Sequence, residues 1–164
     1  MPIGRYRDVW SMKQFALPLR KDTQRPVVYL KEYFNLYAML DTGSIFPVWV
    51  GEEKQLLDIG AIFIKANIPF GGFGGIAIGN VYRLSQFRLG ELVFPSLPII
   101  ASKSDLPCQM LISATMFRGL VYEVDDCNHK FHVTIPNHES CERIFKIEDK
   151  NGKLHILCMN GKEM

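Results

Sequence analysis

The sequence predicts a single all-β domain, and three observations lead to it. Short β-branched and aromatic runs follow one another, cut by Gly, Pro, Asn and Asp: Val27 to Leu30, Tyr33 to Leu40, Phe46 to Val50, Ala61 to Ile68, Ile76 to Leu84, Glu91 to Ile100, Leu120 to Val124 and Phe131 to Ile135. Such runs suit a pleated, half-buried surface and read as strands. Only two stretches look helical: Glu52 to Leu57, and a short segment from Ala114 to Arg118 that Gly119 stops. Near the end, Glu142 to Glu148 alternates apolar and charged residues, Lys150-Asn151-Gly152-Lys153 is a hairpin turn, and Leu154 to Met159 returns.

With 164 residues, 48% of them hydrophobic, the chain supports one compact domain with a core of its own and not two. The expected organisation is an N-terminal segment 1–24 serving as a candidate interface strand, a main domain 25–136, and an added terminal β-hairpin over 137–164. The 19 Lys+Arg against 17 Asp+Glu leave a net charge of +2, too little field of one sign to hold a nucleic-acid backbone. The start, Met1 to Asp8, lacks the apolar stretch of a secretory signal, and no run is long enough to span a bilayer. The expectation is therefore a cytoplasmic protein with neither nucleic acid nor membrane as partner. The four cysteines, Cys108, Cys127, Cys141 and Cys158, stand singly and read as reduced thiols. Cys127, His129 and His132 are a weak metal set, because Asp125 to Lys130 has the composition of a polar turn; no metal is expected.

The chemistry-bearing segment is Leu36-Tyr37-Ala38-Met39-Leu40-Asp41-Thr42-Gly43-Ser44. An apolar strand delivers a carboxylate to its end, Thr42 supplies a hydroxyl that can bond across to a neighbouring loop, and Gly43 permits close backbone approach. Asp and Gly are also ordinary turn residues, so the tetrapeptide alone is suggestive. Further on, Phe70-Gly71-Gly72-Phe73-Gly74-Gly75-Ile76 lies between two strand-like runs, and its four glycines around an aromatic make a hairpin tip able to close over an extended peptide. A phosphate loop is excluded because no helix pattern follows and no Lys-Ser or Lys-Thr ends it. Met110 to Phe117 is an apolar strand passing through a small residue into a short helix.

In this order the three segments resemble the retropepsin family, the viral proteases and their cellular relatives, over about Val27 to Pro136. The resemblance implies an acid-protease β-barrel with one short helix on its C-terminal side. It implies that Asp41 is the catalytic acid/base, that Thr42 locks two active-site loops together, and that Gly43 with Ser44 completes the loop. Gly71, Gly72, Phe73, Gly74, Gly75 and Ile76 would form the flap, and Leu111 and Ile112 would line the pocket. This chain departs from the family at Ser113, where Gly is usual, and at Ile45 and Ala114, where viral members pair an acid with an arginine. The insertion Gly51 to Gly60 and the residues after Asn137 also lie outside the viral pattern.

Peptide hydrolysis needs one group to take a proton from the attacking water and another to donate to the carbonyl. A chain with one Asp-Thr-Gly meets that need as a homodimer, in which two close carboxylates share a proton. The expected activity is thus an aspartic endopeptidase acting on extended polypeptides, without cofactor. A second reading is a catalytically silent retropepsin-like module for dimerisation or peptide binding. Phe15 to Leu19, Ile144 to Ile147 and Leu154 to Leu157 are apolar segments able to add strands across the subunit interface; the alternative is that the terminal hairpin covers only the core of its own subunit.

Overall fold

The computed structural model describes residues 12–72, 75–150 and 153–159. It is mostly β, with one α-helix among the described residues. The strands are β1 (Lys13–Pro18), β2 (Val27–Leu30), β3 (Leu36–Asp41), β4 (Val48–Trp49), β5 (Ile62–Gly72), β6 (Gly75–Leu89), β7 (Leu92–Ala101), β8 (Met110–Ser113), β9 (Val121–Asp125), β10 (Lys130–Ile135), β11 (Ile144–Lys150) and β12 (Lys153–Met159). The helix is α1 (Glu53–Asp58), and a 3-10 turn, η1, covers Ala114–Phe117.

Seven strands form the main sheet in the order β2-β3-β8-β4-β7-β6-β5. Most neighbours are antiparallel, but β3 runs parallel to β8 and β4 runs parallel to β7. A second sheet has the order β1-β10-β9, and β11 pairs with β12. The expected closed barrel is not present among the described residues, because the end strands β2 and β5 do not pair with each other. β5, the strand at one end of this sheet, pairs with β6 in a register that shifts twice between Phe63 and Ile68. At the other end, Val28 of β2 bridges to Leu19 and so ties the main sheet to the chain just after β1.

Strand alternation sorts the side chains into two cores. On one face Leu36, Ala38, Trp49, Tyr82, Leu84, Leu97, Ile99, Met110 and Ile112 join Phe131, Val133 and Phe145 in the larger cluster. On the other face Met39, Val48, Val50, Val81, Ile100 and Leu111 form the smaller cluster with Val27, Phe46, Ile68 and Phe70. Successive residues of a strand point to opposite faces, so this division follows from the period of two. Trp49 is fully buried, and its indole N–H donates to the Glu52 carbonyl at 2.8 Å, which removes the cost of burying that donor.

The described segments at either end of the chain pack against the rest of it. β1 pairs antiparallel with β10, Phe15 opposite Val133, so the Phe15 to Leu19 segment has a strand partner within the chain. Phe145 of β11 is buried, with its ring centroid 6.0 Å from that of Phe94 on β7. Arg143, only 1% exposed, donates through Nη2 to the Arg118 carbonyl and lies 3.4 Å from the Glu139 carboxylate. The residues after Asn137 therefore begin as part of the main core. The segment expected to be helical from Ala114 is a single 3-10 turn; the Ser113 hydroxyl bonds the Thr115 hydroxyl and caps no backbone N–H, and Gly119, at a φ of +83°, ends it.

Between β9 and β10 the chain makes the polar turn expected of Asp125 to Lys130. Asn128 donates its backbone and side-chain N–H groups to the Asp125 carboxylate, which holds that carboxyl below its ordinary range. Among the described residues no three His, Cys, Asp or Glu side chains are grouped as metal ligands. Nor is any helix among them long and apolar enough to cross a membrane.

Candidate active site

The sheet places Asp41 on the face of the smaller core. Tyr37, Met39 and Asp41 share one side of β3, and the strand ends at Asp41, so the last side chain of that row is a carboxylate instead of an apolar group. Its neighbour across the parallel pairing is Ser113, the last residue of β8. The following loop turns back at once: the Ser44 N–H donates to the Asp41 carbonyl at 3.2 Å, and the Gly43 N–H donates to Asp41 Oδ1 at 3.2 Å. Asp41 is half-buried, while Thr42 and Gly43 are exposed.

Gly43 does not adopt a positive φ, so the turn itself does not demand glycine. A side chain there would sit 3.6 Å from Asp41 Oδ1; its absence leaves the carboxylate uncovered. The Ser44 hydroxyl donates to the Phe46 carbonyl at 2.5 Å and stiffens the exit of the loop. Thr115 Oγ1 donates to the Ile45 carbonyl at 2.9 Å and is 2.6 Å from the Ser113 hydroxyl. This chain of hydroxyls joins the Asp41 loop to η1 through uncharged groups, at the place where Ile45 and Ala114 leave no charged pair. Ser113 itself is extended, with φ −93° and ψ 154°, a conformation any residue adopts. The departure from glycine at that position thus carries no backbone strain.

Asp41 opens into a cleft of about 450 Å³ lined by Gly43, Ser44, Ile45, Phe46, Val48, Val50, Phe70, Gly71, Ala77, Ser102, Ser104, Leu106 and Leu111. Asp41 is the only ionisable side chain in that lining among the described residues. The smaller core supplies its walls, and the stem of the β5–β6 hairpin supplies Phe70, Gly71 and Ala77. The hairpin pairs Phe70 with Ala77, Gly71 with Ile76 and Gly72 with Gly75, so the glycine-rich segment is two paired strands; Phe73 and Gly74 lie outside the described residues.

Leu111 and Ile112 part company. Leu111 lines the cleft, whereas Ile112 is fully buried on the opposite face in the larger core. Neighbouring residues of one strand cannot both face the same cleft. Thr42 is exposed, and its hydroxyl has no hydrogen-bond partner among the described residues. Sequence reasoning missed Val48, Val50, Phe70 and Thr115. The alternation from Phe46 to Val50 marks the valines as sharing a face, but the face is assigned only by the pairing of β4 with β8 and β7.

No family model matches this chain, and no curated protein matches it. Among solved structures, the crystal structure of a retropepsin-like aspartic protease from Rickettsia conorii is similar, with a TM-score of 0.49 and 13% identity over 76% of this chain and 92% of that one.

Proposed function

We propose that this chain is an aspartic endopeptidase of the retropepsin type, hydrolysing peptide bonds as a homodimer through two copies of Asp41. The observation that supports this best is the position of Asp41, a lone carboxylate held by a short hydrogen-bonded loop at the edge of an apolar cleft beneath a β-hairpin. In the proposed reaction, one carboxylate accepts a proton from water while the other, protonated, donates to the scissile carbonyl. The water oxygen bonds the carbonyl carbon, and the tetrahedral adduct collapses with a proton delivered to the leaving nitrogen as the C–N bond breaks. A cleft walled by Val48, Val50, Phe70 and Leu111 favours apolar side chains on either side of that bond. The hairpin stem offers backbone groups to an extended chain.

The test is hydrolysis of an apolar peptide library at acidic pH, with and without a pepstatin-type inhibitor. Cleavage that the inhibitor blocks and that Asp41→Asn abolishes is the expected result; cleavage by Asp41→Asn at the parent rate overturns the assignment.

A further inference from the structure

The hairpin over the cleft leaves the main sheet at a definite point. β6 pairs with β7 from Leu89–Leu92 as far as Asn80–Ala101, and beyond Asn80 it pairs with β5 alone, through Ile68–Gly79 to Gly72–Gly75. Gly79 marks the exit: a Cβ there would lie 2.5 Å from the Ala101 carbonyl oxygen and 2.6 Å from Ile100 Cγ2. On the facing strand the register shifts between Lys65 and Ile68, and Asn67 takes a positive φ of 56°. A two-stranded ribbon leaving a sheet at a bulge bends most easily there.

One side chain from outside the sheet grips this point. The Glu53 carboxylate, in the first turn of α1, accepts the Tyr82 hydroxyl at 2.6 Å and the Asn80 amide at 3.2 and 3.3 Å. Asn80 in turn accepts the Asn67 backbone N–H through Oδ1 at 3.1 Å. These contacts run from helix to β6 and from β6 to the bulge of β5, spanning the place where the ribbon departs. The helix is itself anchored, since Leu56 is fully buried and the Trp49 indole holds the Glu52 carbonyl. α1 lies within the Gly51 to Gly60 insertion, so this segment has a position from which to act on the hairpin.

We infer that Glu53 is a positioning residue, bracing the base of the β5–β6 hairpin through Asn80 and Tyr82 and thereby setting how the hairpin lies over the Asp41 cleft. The inference rests on reading that hairpin as the cover of the peptide site. The network has a polarity that can be reversed. Glu53→Gln replaces one of the two acceptor oxygens facing the Asn80 amide with a donor, and Asn80→Asp sets two carboxylates together, so each change alone weakens the link. Made together they restore it. The new amide at position 53 donates to the new carboxylate at position 80, which still accepts the Asn67 N–H, and the remaining amide oxygen at position 53 still accepts the Tyr82 hydroxyl.

Amide hydrogen exchange of the full chain reads the brace without any need for activity. In each single variant, exchange over Ile68 to Ala77 should accelerate by about tenfold while β7 and β8 amides keep the parent rate, and the double variant should return to it. Glu52→Gln, adjacent to the same helix but paired with Lys103, should change nothing. In peptide hydrolysis the single variants should raise KM more than they lower kcat, with recovery in the double variant. Should either single change prevent folding, Tyr82→Phe removes one bond of the network and should give a smaller acceleration at the same amides. Unchanged exchange at the hairpin, acceleration spread evenly over the sheet, or a double variant no better than the single variants overturns the inference. A parent chain that cleaves no peptide while the exchange pattern appears as described overturns the peptidase reading and the proposed control of a peptide site, leaving only a structural brace.

Discussion

Asp41 and Ser113 stand side by side as the last pair of the parallel β3–β8 ladder, which sets the carboxylate next to a fully buried hydroxyl residue. The Ser113 hydroxyl bonds that of Thr115, which in turn donates to the Ile45 carbonyl in the loop after Asp41. The loop is thus closed between two strand ends by hydroxyl groups.

Removing the carboxylate's acid–base chemistry while keeping its shape separates catalysis from folding. The Asp41→Asn change keeps an oxygen able to accept the Gly43 N–H. It should lower peptide hydrolysis by at least about a thousandfold and leave the stability to urea within about 0.5 kcal/mol of the parent. Coupled peptide assays and denaturation curves check both halves.

Thr115→Val keeps the shape of the side chain and removes the hydroxyl that both Ser113 and Ile45 use. The expected cost is about 1 to 2 kcal/mol in urea unfolding, because buried Ser113 loses a hydroxyl partner. Hydrolysis should fall with it, since the loop that presents Asp41 is less well held. Equal stability and activity in the variant would show that the hydroxyl chain does not support the loop.

The terminal segment should act first on the fold of its own subunit. Phe145 is buried against Phe94, so Phe145→Ala should cost about 3 to 5 kcal/mol, measured by chemical denaturation. Deleting from Asn137 removes both Phe145 and Arg143 and should expose hydrophobic surface, detected by dye binding at every protein concentration. A truncated chain that is as stable as the parent but sediments as a smaller species would instead locate the segment's role between subunits.

Two tyrosines predict weakening in alkali. Burial pushes the Tyr33 hydroxyl up to about 12, and the hydrogen bond to the Glu53 carboxylate, aided by burial, pushes Tyr82 up to about 12. Both ionise at 10.0 in the absence of these effects, so the unfolded chain gives up its protons first. Their contribution to stability is fully present below pH 10 and is lost as the pH rises toward 12. Tyr33→Phe and Tyr82→Phe should each flatten the fall of stability over that window in urea titrations. An unaltered slope in both variants would show that neither phenol is shifted.

Much of the secondary structure was legible along the chain because it is encoded locally. The β-branched runs and the short amphipathic stretch from Glu52 each carry their own periodicity or backbone preference, whereas the expected turn at Asn151-Gly152 lies outside the described residues. Asp41-Thr42-Gly43 stood out for the same reason, as an apolar strand ending in a polar turn. What stayed hidden depends on which strands lie side by side. The parallel pairing of β3 with β8 brings Ser113 beside Asp41 across a long separation in sequence, and nothing local announces it. Alternation says that Leu111 and Ile112 face opposite ways, but only the packed sheet decides that Leu111 faces the cleft and Ile112 the larger core. The all-β class was legible, but closure into a barrel, which the described strands do not show, depends on the pairing of end strands and so on the whole sheet. Likewise Glu53 reads as one more charge on a helix until folding sets its carboxylate against Tyr82 and Asn80, because hydrogen bonds between distant elements follow from tertiary packing and not from local pattern.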